Sequence, residues 1–226
     1  AYTIEVKQID GSLAEQSRTL YRSHYGPMLN PSFFGGVWSD AVAYSIFDPN
    51  NGYVRSASLT QAKSIDDIRK VFLTQGGRPA NNTIATDRNG EVFYADTTLV
   101  PNLSKEGEAK FRALIEADEF SLTKLAFGLG LVLLDGSDPT FSISMDDSAT
   151  IPGVIPFKEA PQLIGRRDFV TNSNDSYWLS NPGEPLQGYS RRYGDEETPR
   201  SLRTRRGLTL LSESLLWDRT SLENLL

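Results

Sequence analysis

No cysteine occurs among the 226 residues, so disulfides, thiolate metal sites and a cysteine nucleophile are excluded. Histidine is nearly absent too: the single His24 permits at most one imidazole relay and rules out paired histidines at metal spacing. Positive charge is in deficit. Twenty-three lysines and arginines face 29 aspartates and glutamates, and a formal charge of −6 argues against general affinity for nucleic acid or anionic membrane surfaces. Long apolar runs are missing. The longest, Leu125 to Leu134, is about half of the ~20 residues that a membrane helix needs and is interrupted by two glycines. It reads as buried core, and no membrane insertion is expected. The chain has no G-x-S-x-G elbow, no phosphate-binding Walker loop, no internal repeat and no leader pattern at Ala1, which a mature chain would have lost.

What is present is ordinary globular composition, 38% hydrophobic and 10% aromatic, enough for a sizeable core. Tyr2 to Lys7 alternates like a strand and is followed by an Asp10-Gly11 turn. Leu20 to Tyr25, with His24 in it, and Ala41 to Phe47 also favour strands, the latter followed by a turn-rich Asp48 to Gly52. Ser64 is placed to cap a helix whose Ile65, Ile68, Val71 and Phe72 form one stripe. Asn82 to Thr86 and Glu91 to Asp96 flank Asp87-Arg88-Asn89-Gly90, the clearest hairpin signal in the chain. Ser104 to Ala117 is expected to be helical. Asp135 to Pro161 consists mainly of turn formers and small polar residues and is expected to be a long surface loop. A strand is expected at Asp168 to Thr171, and Thr198-Pro199 is placed to start a helix running through Leu211. Thr220 to Glu223 has the form of a capping box, yet only three residues follow Glu223, so the natural polypeptide is expected to continue.

Carboxylate pairs occur at Asp66-Asp67 and Asp146-Asp147. The first suits the positive end of a helix and the second a turn, so both read as solvated structure rather than as an acid and base pair. Arg191, Arg192, Arg200, Arg203, Arg205 and Arg206 form a cationic group, but Asp195, Glu196 and Glu197 lie among them. Pairing with neighbouring carboxylates accounts for them better than nucleic-acid contacts do. Phe33, Phe34, Trp38, Tyr177 and Trp178 could form the ligand surface of a non-catalytic binding module, and core packing accounts for them equally well.

The run Arg167-Asp168-Phe169-Val170-Thr171-Asn172-Ser173-Asn174-Asp175-Ser176-Tyr177-Trp178-Leu179-Ser180-Asn181-Pro182 resembles the segment around the oxyanion-hole asparagine of the penicillin acylase family. The branch containing acyl-homoserine lactone and aculeacin-type acylases is the nearest in appearance. Thr19 to Pro27, Asn82 to Gly90 and Pro199 to Leu211 are similar to further family segments in the same order, so the resemblance covers nearly the whole chain. It implies an α+β segment of an αββα N-terminal nucleophile hydrolase, antiparallel strands with helical and loop excursions, and a single internal β-chain segment over residues 1–226. Family membership further implies hydrolysis of an acyl amide by the amino-terminal serine of the β-chain, whose own amine is taken to act as base.

Carried over by position, Asn174 matches the asparagine whose side-chain amide faces the oxyanion. Local sequence alone favours a different reading, Asn174 as an Asx-type turn residue ending a strand. Arg203 matches the arginine near the nucleophile's amine, with Arg200 and Arg206 one turn away as open alternatives. The family nucleophile lies upstream of this segment, and Ala1 offers no hydroxyl. The expected partners are therefore the α-chain and the rest of the β-chain, together with a small acyl amide substrate, and the segment alone is expected to be inactive. No organic cofactor is implied, and the calcium found in some members is supported by no clear oxygen-ligand run here. The family setting implies a periplasmic or secreted protein.

Overall fold

The computed structural model describes residues 1–29, 38–39, 49–78, 80–213 and 218–224, which fall into two compact units, Ala1–Phe47 and Asp48–Leu226. The first is built from β-hairpins. Strands β1 (Tyr2–Lys7) and β2 (Leu13–Arg18) pair antiparallel from Tyr2 opposite Arg18 to Lys7 opposite Leu13. Gly11, at φ 85°, closes the turn, and Asp10 Oδ1 accepts the Ser12 amide at 2.9 Å. Strands β3 (Arg22–Ser23), β4 (Gly26–Leu29) and β5 (Trp38–Ser39) form a second antiparallel sheet. His24 lies in the tight turn between β3 and β4 rather than on a strand, because Gly26, at φ 145°, reverses the chain there. The expected strand Ala41 to Phe47, Asp48, and the aromatics Phe33 and Phe34 lie outside the described residues; Trp38 is described only as backbone.

The second unit holds helices α1 (Pro49–Thr60) and α2 (Ile65–Gln75), then strands β6 (Asn82–Thr86) and β7 (Val92–Asp96). Helices α3 (Lys105–Glu116) and α4 (Leu122–Gly128), strand β8 (Gln162–Arg166), and helices α5 (Leu202–Ser212) and α6 (Arg219–Glu223) follow. Ser64 caps α2 as expected: its hydroxyl accepts the Asp67 amide, while Asp67 Oδ2 accepts the Lys63 amide. Ser104 caps α3 in the same way. The expected hairpin is present, with Asn82 opposite Asp96, Thr86 opposite Val92, and Gly90 at φ 80°.

β7 is the centre of the antiparallel sheet β6–β7–β8 and is buried on both faces. Successive side chains therefore serve different cores. Phe93 and Ala95 pack with Ile65 and Phe72 of α2 and with Phe157, whose ring centroid is 5.2 Å from that of Phe72. Tyr94 points the other way, into a cluster with Leu163, Tyr177 and Leu186. Burying each of these large apolar side chains contributes about 1.5–3 kcal/mol. Leu103, Phe111 and Phe141 form a third cluster under α3 and α4. This is the mixed α+β architecture that the resemblance implied.

Other readings need correction. Pro49 to Gly52, expected as part of a turn, form the first turn of α1. The apolar run 125–134 is largely exposed, with Leu129 at 63% and only Ala126 fully buried. Gly128 ends the short α4 and Gly130 takes φ 78°, so the run never presents one helical face. The loop 135–161 is not confined to the surface: Phe141, Val154 and Phe157 peg it into the core. The strand expected at Asp168 to Thr171 lies instead at Gln162–Arg166. Residues 167 and 168 form a bend and 169–171 have no regular structure, and Asn181 Nδ2 donates to Asp168 Oδ2 at 2.9 Å and to the Phe169 carbonyl at 2.8 Å. Finally, α6 is capped by Asp218, whose Oδ1 accepts the Ser221 amide at 2.7 Å, rather than by Thr220.

Gly77 marks a close approach of two backbones. The Arg78 amide donates to the Thr97 carbonyl at 2.6 Å, and a Cβ on Gly77 would lie 2.1 Å from that same oxygen. Gly77→Ala is expected to destabilise by about 1–3 kcal/mol in denaturant unfolding. Gly128→Ala, with nothing within 4 Å of its Cβ and a helical position, should be neutral or slightly stabilising.

Candidate functional site

The Asn-rich run folds into a tight loop beyond β8, on the side of the sheet to which Tyr94 points. Asn172 closes it with both ends of its side-chain amide: Nδ2 donates to the Asp175 carbonyl at 3.0 Å, and Oδ1 accepts the Asp175 amide at 3.2 Å. This bracket leaves Ser173 and Asn174 at the tip. Asn174 takes φ 56°, the left-handed conformation that asparagine tolerates better than other residues with a Cβ. Its side chain is exposed and has no hydrogen-bond partner among the described residues.

The neighbouring Asp175 is fully engaged. Oδ1 accepts the Ser176 amide at 2.9 Å and Arg200 Nη1 at 3.0 Å, and Oδ2 accepts the Ser201 amide at 3.1 Å and Thr204 Oγ1 at 2.7 Å. Burial pushes the Asp175 carboxyl up, but the hydrogen bonds from Thr204, Ser176 and Ser201 and the charge of Arg200 outweigh it and leave it below its ordinary value. The carboxylate sits at the start of α5, whose N-cap is Ser201, where the helix dipole favours negative charge.

That cap corrects the expected helix start at Thr198-Pro199. Ser201 Oγ accepts the Thr204 amide, so the helix begins three residues later and Arg200 lies before it rather than on a common face with Arg203 and Arg206. The buried Arg200 guanidinium pairs with Asp175 and lies 5.5 Å over the Trp178 ring.

A buried polar bed lies under the loop. The Tyr177 hydroxyl donates to Glu196 Oε1 at 2.5 Å, the Tyr189 amide donates to the same oxygen at 3.2 Å, and Arg191 pairs with Glu196 Oε2 at 3.3 Å. Burial, and then the hydrogen bond and charge of Glu196, push the Tyr177 phenol up, so it remains a donor. The Ser176 hydroxyl donates to the Asp195 carbonyl, and the Tyr94 hydroxyl to Asn82 Oδ1 at 2.5 Å. These bonds tie the loop to the layer beneath it, although the buried Trp178 Nε1 has no hydrogen-bond partner and Arg191 Nη1 has only its ion pair with Glu196.

The family model described as penicillin amidase matches residues 1–226. The chain belongs to the penicillin amidase family. It is 36% identical to aculeacin-A acylase of Actinoplanes utahensis over 220 residues, which is 95% of this chain and 26% of that protein. The acyl-homoserine lactone acylase PvdQ of Pseudomonas fluorescens (strain Pf0-1) is 33% identical over 215 residues, covering 93% of this chain and 26% of the relative. For PvdQ of Pseudomonas savastanoi pv. phaseolicola the identity is 32% over 228 residues, covering 99% and 28%. The chain thus spans about a quarter of the length of the curated relatives it matches.

On this penicillin amidase segment, the two residues expected from the sequence belong to one junction. Asp175 and Thr204, which directly follow Asn174 and Arg203, are bonded to one another at 2.7 Å. Arg203 is exposed on the first turn of α5 and has no ion pair among the described residues, whereas Arg200 is held by Asp175 and Arg206 reaches Glu213 at 4.0 Å. His24 is exposed in its hairpin turn. Among the described residues no group of three or more His, Cys, Asp or Glu is placed to hold a metal ion. Sequence reasoning missed Asp175 and Glu196. The Asn172-x-x-Asp175 and Ser201-x-x-Thr204 spacings were the available signals for the first; Glu196, separated from Tyr177 by 18 residues, left none.

Proposed function

We propose that this chain is a segment of an acylase that hydrolyses an acyl amide, adding water across the C–N bond to release a carboxylic acid and an amine. Within it, Asn174 donates its side-chain N–H to the oxyanion that develops on the attacked carbonyl, and Arg203 sets charge near the nucleophile's amine. The amino-terminal serine that attacks, and the other walls of the site, come from the remaining segments of the protein. The observation that carries the reading is the state of Asn174: a neutral amide donor, exposed and unpartnered among the described residues, at left-handed φ on a loop fixed from both sides. Oxyanion stabilisation requires such a donor, already oriented before charge appears.

The exposed Phe120, Leu122, Leu125, Leu129, Leu131 and Val132 support the larger setting, because this many large apolar side chains left in water within one short stretch of chain are accounted for by a packing partner elsewhere in the protein. Of the aromatics in the alternative binding-module reading, Tyr177 is fully buried with its hydroxyl on Glu196 and Trp178 lies against Arg200, so neither offers a free ligand surface; Phe33, Phe34 and the Trp38 side chain lie outside the described residues.

The names of the relatives direct the first assay to acyl-homoserine lactones and aculeacin A. The full-length protein is expected to release free amine from one of these substrates, read by amine-reactive fluorescence. Failure to release amine from either, or from any long-chain acyl amide, would refute the reading.

A further inference from the structure

We infer that Asp175 is a positioning residue that holds the Asn174 amide in its working orientation by tying the loop tip to the first turn of α5, an inference that rests on the oxyanion role proposed for Asn174. Every polar group of Asp175 is engaged. Its backbone amide and carbonyl are bracketed by Asn172, and its two carboxylate oxygens accept four donors from Ser176, Arg200, Ser201 and Thr204. Asn174, enclosed by this bracket, contributes none of these bonds, so the loop is fixed without using the amide that must stay free for the reaction.

The chemistry selects a carboxylate at this place. Four donors converge on its two oxygens, and an asparagine of the same shape would turn an NH2 toward one pair of them. Either the Ser201 amide and Thr204 hydroxyl, or the Ser176 amide and Arg200, would then face a donor. Thr204 is buried and presents its hydroxyl from a capped helix turn, and Arg200 is itself held over Trp178, so the anchors are more rigid than the tip they hold. Because the left-handed φ of Asn174 is not its lowest-energy state, the loop keeps it only while both flanks are fixed. A side-chain donor that drifts by about 1 Å can cost on the order of 10²-fold in rate.

The test uses the full-length acylase with Asp175→Asn, Asn174→Gly, the double variant, Thr204→Val and Thr204→Ser. Asp175→Asn is expected to lower kcat by about 10- to 100-fold with a smaller change in KM. In the Asn174→Gly background the same change should lower kcat by less than about 2-fold, because the group being positioned is already gone. Thr204→Val should slow turnover in the same sense, and Thr204→Ser, which keeps the hydroxyl, should restore it. Losses of Asp175→Asn and Asn174→Gly that multiply in the double variant would make Asp175 merely structural and overturn the inference. Wild-type kcat in Asp175→Asn alongside a slow Asn174→Gly would overturn it while leaving the role of Asn174 intact; wild-type kcat in Asn174→Gly would remove both. Should Asp175→Asn fail to fold, Thr204→Val decides: wild-type kcat there overturns the inference.

Discussion

In the full-length protein, Asn174→Gly is expected to lower kcat for the proposed amide hydrolysis by about 10²- to 10³-fold while KM stays within a few-fold, the signature of a donor that acts only once the oxyanion forms. Glycine is the informative replacement. At φ 56°, alanine would add about 1–2 kcal/mol of backbone strain, so a slow Asn174→Ala enzyme could reflect a displaced loop. Glycine accepts that conformation without strain, removes the amide and leaves the Asn172–Asp175 bracket possible, because the bracket uses no atom of Asn174. Asn174→Asp should be at least as slow, since at neutral pH it places an acceptor and a negative charge where a donor is needed. The thermal midpoint of Asn174→Gly should match that of the parent to within a few degrees. A glycine variant that turns over at the parental rate would exclude Asn174 from the oxyanion hole.

Elements whose cause is local were legible in the sequence. Ser64 and Ser104 cap helices because their hydroxyls lie three residues from the amides they serve, and Asn89-Gly90 turns a hairpin because Gly90 supplies the positive φ. Where the deciding partner is distant in sequence, the reading slipped. The segment 168–171 has strand composition but is bent away by Asn181, more than ten residues on. Thr198-Pro199 is a good helix start, yet Ser201 won because its hydroxyl and its own amide are both used at the junction with Asp175. The apolar run 125–134 shows a different limit, since hydrophobicity signals burial without saying whether the burying surface lies within this stretch of chain. Of the proposed site, Asn174 and Arg203 come from the family resemblance, while the carboxylate between them had no such signal. Asp175 reads as one more turn former until Arg200, Ser201 and Thr204 are seen to converge on it.

The scaffold carries a second sensitive point, away from the chemistry. The Arg192 side chain is only 3% exposed, and its Nη2 and Nε donate to Glu108 Oε2 of α3 at 2.8 Å and 3.2 Å, while Nη1 donates to the Pro101 carbonyl. Burial pulls the guanidinium pKa down and the charge of Glu108 pushes it back, but an arginine does not lose its proton in a folded protein. Glu108→Ala therefore strands a cation in the interior with a single carbonyl for company, and is expected to destabilise by about 3–5 kcal/mol. The loss should appear as a lower denaturant midpoint in the full-length protein. Replacing both partners, Glu108→Leu with Arg192→Met, removes the buried charge together with its counter-charge and should recover most of the stability. The pair ties α3 to the segment that brings Tyr193 to the core and continues to Glu196 beneath the Asn174 loop. Measured well below its melting transition, Glu108→Ala should nevertheless keep a kcat close to that of the parent, because Asp175 and α5 hold the loop independently of α3. A single variant no less stable than the double would show that Arg192 finds another counter-charge and that the pair is not what holds α3 in place.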